Sequence, residues 1–294
     1  MNTVSALIRR NVKLFFKDKG MFFTALITPM ILLILYGAFL GDVYRDSFMQ
    51  NLPVSLPEKL LNGMVGGQLI SSILAVSCVT VAFCANFVMV QDKANGTIKD
   101  LRISPVMTWA LSLSYYAATL IATLLICFVA AAVCLVYVAS IGWYMSAADV
   151  LLLLLDVVIL VLFGTALSSI VSFFLSTQGQ ISAVGSVISS CYGFISGAYM
   201  PISQFGAGLQ KVIMFLPGTY GTSLMRNHAM GGTIRELERL HVPESAVTAL
   251  KDVMDCNLYF FGSQVSIPAM YAVICGTTVV LIAAYVLLNK LKKR

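Results

Sequence analysis

Three groups of residues in this chain have types and spacings suited to chemistry or docking. The first is Gln91–Val106, QDKANGTIKDLRISPV, the only strongly charged segment between the second and third long apolar runs. Its ordered features are Asp92, Gly96-Thr97, Lys99, Asp100, Leu101, Arg102 and Ser104-Pro105-Val106. Gly96 permits a tight turn, and Thr97 can cap the helical turn that follows. Lys99, Asp100 and Arg102 can pair across an interface and set its register, and Pro105 stops the helix at the preceding residue. The chemistry on offer is docking by a rigid polar lever; the bland alternative is a solvated loop. The second group is Asp156 alone, the one charge inside an apolar run. A charge at membrane depth is costly and faces a cavity or a partner. Asp156 therefore reads as a polar contact in a path, a proton site, or a structural hydrogen bond roughly 9 Å down its helix from Val150. The third group is Gly185, Ser189, Gly193 and Gly197, spaced by four, beside a second stripe of Ser182, Ser186 and Ser190. Small residues at this spacing let helices approach closely, within one chain or against a second copy.

Other chemistry finds no footing. His228 and His241 are too far apart and too isolated to read as a metal site, so no metal is expected. Seven cysteines are present. Six lie in apolar runs, as small buried hydrophobes do. Cys256 falls in a polar loop and is expected to meet water. An odd count without metal-ligand spacing argues against a disulfide framework. There is no Gly-Lys dipeptide and hence no phosphate loop of the Gly-x-x-x-x-Gly-Lys type, no Gly-x-Ser-x-Gly and no His-Glu-x-x-His. No catalytic residue is expected, and no cofactor bound by this chain.

The elements that must position these groups follow from composition. Of 294 residues, 59% are hydrophobic and only 11% charged, against about 25% charged in a soluble domain. The chain therefore reads as an all-α integral membrane protein, since alternation at strand period is missing. Six spans are expected, at 22–40, 67–90, 109–141, 149–175, 180–200 and 266–289, each with at least about the 20 residues that cross the hydrocarbon; the third is longer than needed, so its Trp109–Ser114 end is assigned to the cytoplasmic interface. Before them, Val4, Leu7, Ile8, Leu14 and Phe15 recur at helical spacing among Arg9, Arg10, Lys13 and Lys17. That is a basic amphipathic helix, within 1–20, suited to an anionic lipid surface. Twelve of the nineteen Lys and Arg fall at the N-terminus, the 91–108 loop and the C-terminus. The positive-inside rule puts all three in the cytoplasm of a multi-pass protein of the plasma or inner membrane. The net charge of +6 is thereby assigned to lipid and orientation; no nucleic acid is expected. Asp42–Gly67 reads as an external loop broken by Pro53 and Pro57. The segment 201–264 reads as an external cap. Phe205–Leu216 is too short to span and suits a re-entrant helix, and Thr233–Asp255 suggests two short amphipathic helices.

An acidic residue, then Gly-Thr, a Leu and Pro-Val just before a span resembles the signature of ABC-2 type transport permeases. The order Ser196-Gly197-Ala198-Tyr199-Met200-Pro201, later Leu216-Pro217 and Arg226, is similar to the end of the fifth span in the drug-type members. The resemblance implies that 1–294 is a single transmembrane domain and that 91–108 carries a coupling helix docking on a cytoplasmic ATPase. It also implies paired re-entrant helices before the last span, and a second permease copy or paralogue meeting it through the first and fifth spans. ATP and Mg would then sit on the partner ATPase, present as two copies or a heterodimer. The expected function is export of an amphipathic substrate: a drug, antibiotic, peptide or lipid. Glycan export stays open, because Phe83, Phe87, Tyr192 and Tyr199 can stack on sugars. One departure stands out: the family often has Glu directly before Gly-Thr, where Lys93-Ala94-Asn95 follow Asp92 here. The rivals from other classes are an ion-coupled secondary transporter using Asp156 and a membrane-embedded enzyme or sensor built on Thr233–Asp255.

Overall fold

One helix organises the molecule. Helix α4 (Glu58–Ala94) is buried along nearly its whole length, from Leu60 to Asp92. No charge interrupts residues 60–91, and apolar or small side chains occupy every face, the pattern of a helix enclosed by others. Its 37 residues extend about 55 Å, well beyond the roughly 30 Å of a bilayer core. The computed structural model describes residues 3–35, 41–51, 56–103 and 106–291, and it is an all-α membrane protein.

Around α4 the chain is wound in order. Helix α1 (Thr3–Lys17) buries Leu7, Asn11 and Phe15, one stripe at a spacing of four. Asp18 accepts from the Met21 amide and opens α2 (Lys19–Leu35). Next come α3 (Gly41–Asn51), α4, α5 (Thr97–Ile103) and α6 (Thr108–Ile141). Helix α7 (Ala147–Phe174) starts at a reciprocal cap between Ser146 and Asp149, and α8 (Gln178–Ile195) at one between Thr177 and Gln180. A 3₁₀ turn (Ile202–Gln204), α9 (Ala207–Ile213), α10 (Pro217–Arg239) and α11 (Glu244–Val253) lead to a two-stranded hairpin. Its strands β1 (Tyr259–Phe260) and β2 (Ser263–Gln264) are antiparallel, and α12 (Ile267–Leu291) closes the chain. Helices α2, α6, α7, α8 and α10 all pack on α4. Small residues set the closest approaches: a Cβ on Gly67 would stand 3.0 Å from the Ala229 carbonyl oxygen of α10, and one on Gly164 2.8 Å from the Cys78 carbonyl oxygen.

Four helices among the described residues are long and apolar enough to cross a membrane: α4, α6, α7 and α12. Helix α2 reaches the edge of the described residues, and residues 36–40 of the expected first span lie outside them. Helix α8 is diluted by glutamines, serines and glycines.

Three expectations need correction. Asp42–Gly67 is not a loop: α3 and the first turns of α4 fill most of its described residues. The first of the two short helices expected in Thr233–Asp255 is the end of α10, a single helix of 23 residues that turns back against α4, α7 and α12. Within Phe205–Leu216, residues Ala207–Ile213 form the short helix α9. Cys256 is buried, with 2% of its surface exposed, because its own carbonyl accepts from Ser223 and Asn227 of α10.

Candidate functional site

Helix α5 is held at the end of α4 by a set of ties that leave one of its faces free. Asp92 lies inside α4, buried. Its oxygens accept from Arg10 at 2.7 and 3.2 Å and from the Tyr115 hydroxyl at 2.5 Å. A bidentate guanidinium–carboxylate pair is among the stronger polar contacts available. One carboxylate thereby joins α1, α4 and α6. The next residue, Lys93, donates to the Ser172, Phe173 and Leu175 carbonyl oxygens at 2.7, 2.9 and 3.0 Å. An ammonium there satisfies the open end of α7 and complements its dipole. Gly96, with φ 81°, makes the turn. Gly96 rather than Thr97 holds the cap position, since Thr97 is the first residue of α5 and Lys99 N donates to the Gly96 carbonyl at 2.8 Å.

The two faces of α5 differ. Ile98 and Leu101 pack on the cluster formed by α1, α4 and α6. Lys99 and Asp100 are exposed, and Ile103 is 85% exposed. Pro105 and the Arg102 side chain lie outside the described residues. Sequence reading had left out Ile103; its signal is the spacing of four from Lys99, which puts both on one face. The Arg10–Asp92 pair and the Lys93 cap carried no sequence signal, since their partners lie about 80 positions away.

A second feature is a groove of about 1070 Å³ between α2 and α8, floored by α4. Ile27 and Ile31 line one wall, Ser182, Gly185, Ser186 and Ser189 the other, and Cys84, Phe87 and Gln91 the floor. Asp18 stands at the end where Gln91 adjoins Asp92. The Ser182 and Ser186 hydroxyls donate back to the carbonyls four residues earlier, at 3.2 and 2.9 Å. They thus present a polar surface with no unmet donor. Of the Gly185–Ser189–Gly193–Gly197 stripe, Gly185 and Ser189 face this groove. Gly193 is explained within the chain, because a Cβ there would overlap the Tyr199 ring. Gly197, at φ 71°, ends α8 in the left-handed conformation, with Ala198 N donating back to Gly193 O at 2.8 Å.

Past the end of α8 lies a buried ion pair. Arg226 of α10, 1% exposed, donates to Asp255 at 3.1 Å, to the Gly197 carbonyl at 2.5 Å and to Ser72 of α4 at 3.3 Å. Asp255 also accepts from the Ile202 amide at 2.9 Å. Burial pushes the Asp255 carboxyl above the usual carboxylate range, against the pull of Arg226.

Asp156 is buried and fully engaged. Its Oδ2 lies 2.5 Å from His228 Nδ1, and its Oδ1 accepts from the Tyr271 hydroxyl at 2.5 Å. It lies away from the groove. Among the described residues, no three His, Cys, Asp or Glu side chains gather as a metal site.

The family model for ABC-2 type transporters matches residues 2–229, more than three quarters of the chain, so this chain belongs to the ABC-2 type transporter family. The match takes in α1 through most of α10 and ends before α11 and the hairpin. No curated protein matches the chain.

Proposed function

We propose that the chain is the permease subunit of an ATP-driven exporter, moving an amphipathic substrate out of the cell. The observation that carries the reading is the groove between α2 and α8, with isoleucines on one wall and serine hydroxyls on the other. Such a surface suits a molecule with an apolar body and a polar tip. In this reading α2 and α8 complete six spans, and both termini and α5 face the cytoplasm of the plasma or inner membrane. A second copy or a paralogue closes the groove. The chain has no catalytic role of its own: two partner ATPase subunits bind Mg and ATP, and the exposed face of α5 docks on them. Family membership favours ATP over an ion gradient as the driving force.

The route for coupling follows from connectivity. Helix α5 joins α4 directly, and α4 supplies Phe87 and Gln91 to the groove floor. Asp92 and Lys93 tie that end of α4 to α1, α6 and α7, so a push on α5 moves them together. The test pairs Lys99→Glu with Asp100→Arg in inside-out vesicles holding the permease and its ATPase. ATP-dependent uptake of a fluorescent lipophilic dye should fall at least tenfold and co-purification of the ATPase should be lost, with the permease still in the membrane. Wild-type ATPase binding and uptake together would overturn the coupling role of α5.

A further inference from the structure

Asp149 and Asp156 stand seven residues apart on α7, and His228 and Arg235 stand seven apart on α10. The two helices pack together, and the acids meet the bases in antiparallel order: Asp149 with Arg235, Asp156 with His228. Seven residues span about 10 Å of helix axis, or two turns. The contacts are therefore two rungs of one ladder. The rung at Asp149 is permanently charged, because a guanidinium does not lose its proton in proteins. Ser146 further secures it, its amide and hydroxyl both donating to Asp149, at 2.7 and 2.8 Å. The rung at Asp156 holds a histidine, the side chain whose charge ordinarily changes between pH 5 and 8.

The geometry at the second rung fixes where a proton can go. An ionised carboxylate only accepts, so the His228 Nδ1 that faces it must carry hydrogen. Tyr271 of α12 fills the other carboxylate oxygen and stacks on the imidazole, with ring centres 6.4 Å apart. His228 makes no other hydrogen bond among the described residues, which leaves Nε2 as the atom that gains or loses a proton. A single charged acid in the membrane costs much less when it pairs with a cation. Helix α7 thus has a standing demand for positive charge at this depth. The other titratable groups near the site are Cys78 of α4, whose thiol lies 3.9 Å from the Val157 carbonyl oxygen, Cys275 one turn beyond Tyr271, and the Asp149–Arg235 rung itself.

We propose that Asp156, His228 and Tyr271 form a proton-binding site within the membrane, which takes up one proton at His228 Nε2 and holds the imidazolium against the Asp156 carboxylate. Uptake turns a rung with one unbalanced negative charge into an ion pair and tightens α10 on α7. Helix α10 also holds the chain at the end of α8, where Arg226, half a turn before His228, donates to the Gly197 carbonyl at 2.5 Å, so proton occupancy bears on one wall of the groove. The site does not depend on what the groove carries.

The chain has only two histidines, which makes the test direct. The full chain, labelled with ¹⁵N-histidine, is placed in lipid nanodiscs and titrated from pH 4.5 to 9 by solid-state NMR. His241, exposed and on the loop after α10, serves as the reference, and His241→Gln assigns the signals. His228 should keep Nδ1 protonated throughout and titrate at Nε2 in one step. Asp156→Asn removes the attraction for the imidazolium and should lower that midpoint by about one pH unit or more. Tyr271→Phe, which deletes only a hydroxyl, frees the carboxylate from a competing donor and should raise it. A His228 that keeps one protonation state across the range overturns the site and leaves a structural hydrogen bond, as does a midpoint unmoved by both variants. Should Asp156→Asn fail to fold, the Tyr271→Phe shift decides alone.

Discussion

Helices α4 and α8 are built from the same kinds of residue and do opposite things. Each carries glycines and serines at helical spacing: Gly63, Gly66, Gly67, Ser71 and Ser72 on α4, Ser182, Gly185, Ser186, Ser189 and Gly193 on α8. On α4 every one of these is buried among the other helices of the chain. On α8 only Ile181, Tyr192 and Gly193 are buried, and the serine stripe faces the groove. A small-residue stripe permits close approach, but it does not say to what. The surroundings decide: α4 has α2, α3, α6, α7 and α10 packed around it besides α8, while α8 packs chiefly on α4.

The largest effect should come where the two helices are pinned together. Arg226 reaches Ser72 of α4 and the Gly197 carbonyl just past α8, and Asp255 balances its charge. Asp255→Asn leaves a guanidinium buried without a counter-charge, a loss of about 3–5 kcal/mol. Thermal unfolding of purified protein should show a sharp fall, and Arg226→Met added to Asp255→Asn should recover part of it, since no charge then remains to be unmatched and Asn keeps the left-handed backbone at φ 52° and the bond from the Ile202 amide. Equal stability of Asp255→Asn and wild type would mean that the pair does not hold α4 to the end of α8.

Gly193→Leu comes next and separates the two meanings of the stripe. The added side chain must displace the Tyr199 ring, and overpacking of this kind costs about 1–3 kcal/mol. If the crowding lies within the chain, Tyr199→Ala should offset part of the loss, giving a double variant more stable than the sum of the singles by at least about 0.5 kcal/mol. A Gly193→Leu protein as stable as wild type in a monomeric preparation would point instead to contact with a second chain.

How far the sequence reached depends on whether a feature is local. The C-terminal end of α4 was readable because Asp92 stops its apolar run, but its start was not: the helix begins at Glu58, inside the stretch that Pro53 and Pro57 mark as a loop. The pattern of α1 is visible in fifteen residues. Helix α10 was not readable as one helix. Gly231-Gly232 reads as a break by propensity, yet in the fold Gly232 is required there because any side chain would overlap the Tyr144 carbonyl. Asp156 was singled out as a lone charge, but its partners His228 and Tyr271 lie 72 and 115 positions away. Burial among three helices joins them, and no local spacing records it. Cys256 misled for the same reason: polar neighbours in sequence do not prevent α10 from covering it.

The smallest effect on stability, and the sharpest on function, belongs to Ser186. Its hydroxyl donates to the Ser182 carbonyl of its own helix at 2.9 Å, so removing it leaves no buried donor unmet. Its side chain is exposed and lines the groove. Ser186→Leu should therefore change the stability of the purified chain by no more than about 0.5 kcal/mol. A leucine there nonetheless replaces hydroxyl surface with bulk on the polar wall. ATP-dependent dye uptake should fall severalfold or more if the groove is the path. Val187→Leu, one residue on and outside the groove lining, supplies the control and should leave uptake near wild type. The comparison between α4 and α8 rests on this separation. A Ser186→Leu protein that transports normally would remove the groove from the path, and a Ser186→Leu protein that unfolds would mean that α8 is packed as tightly as α4.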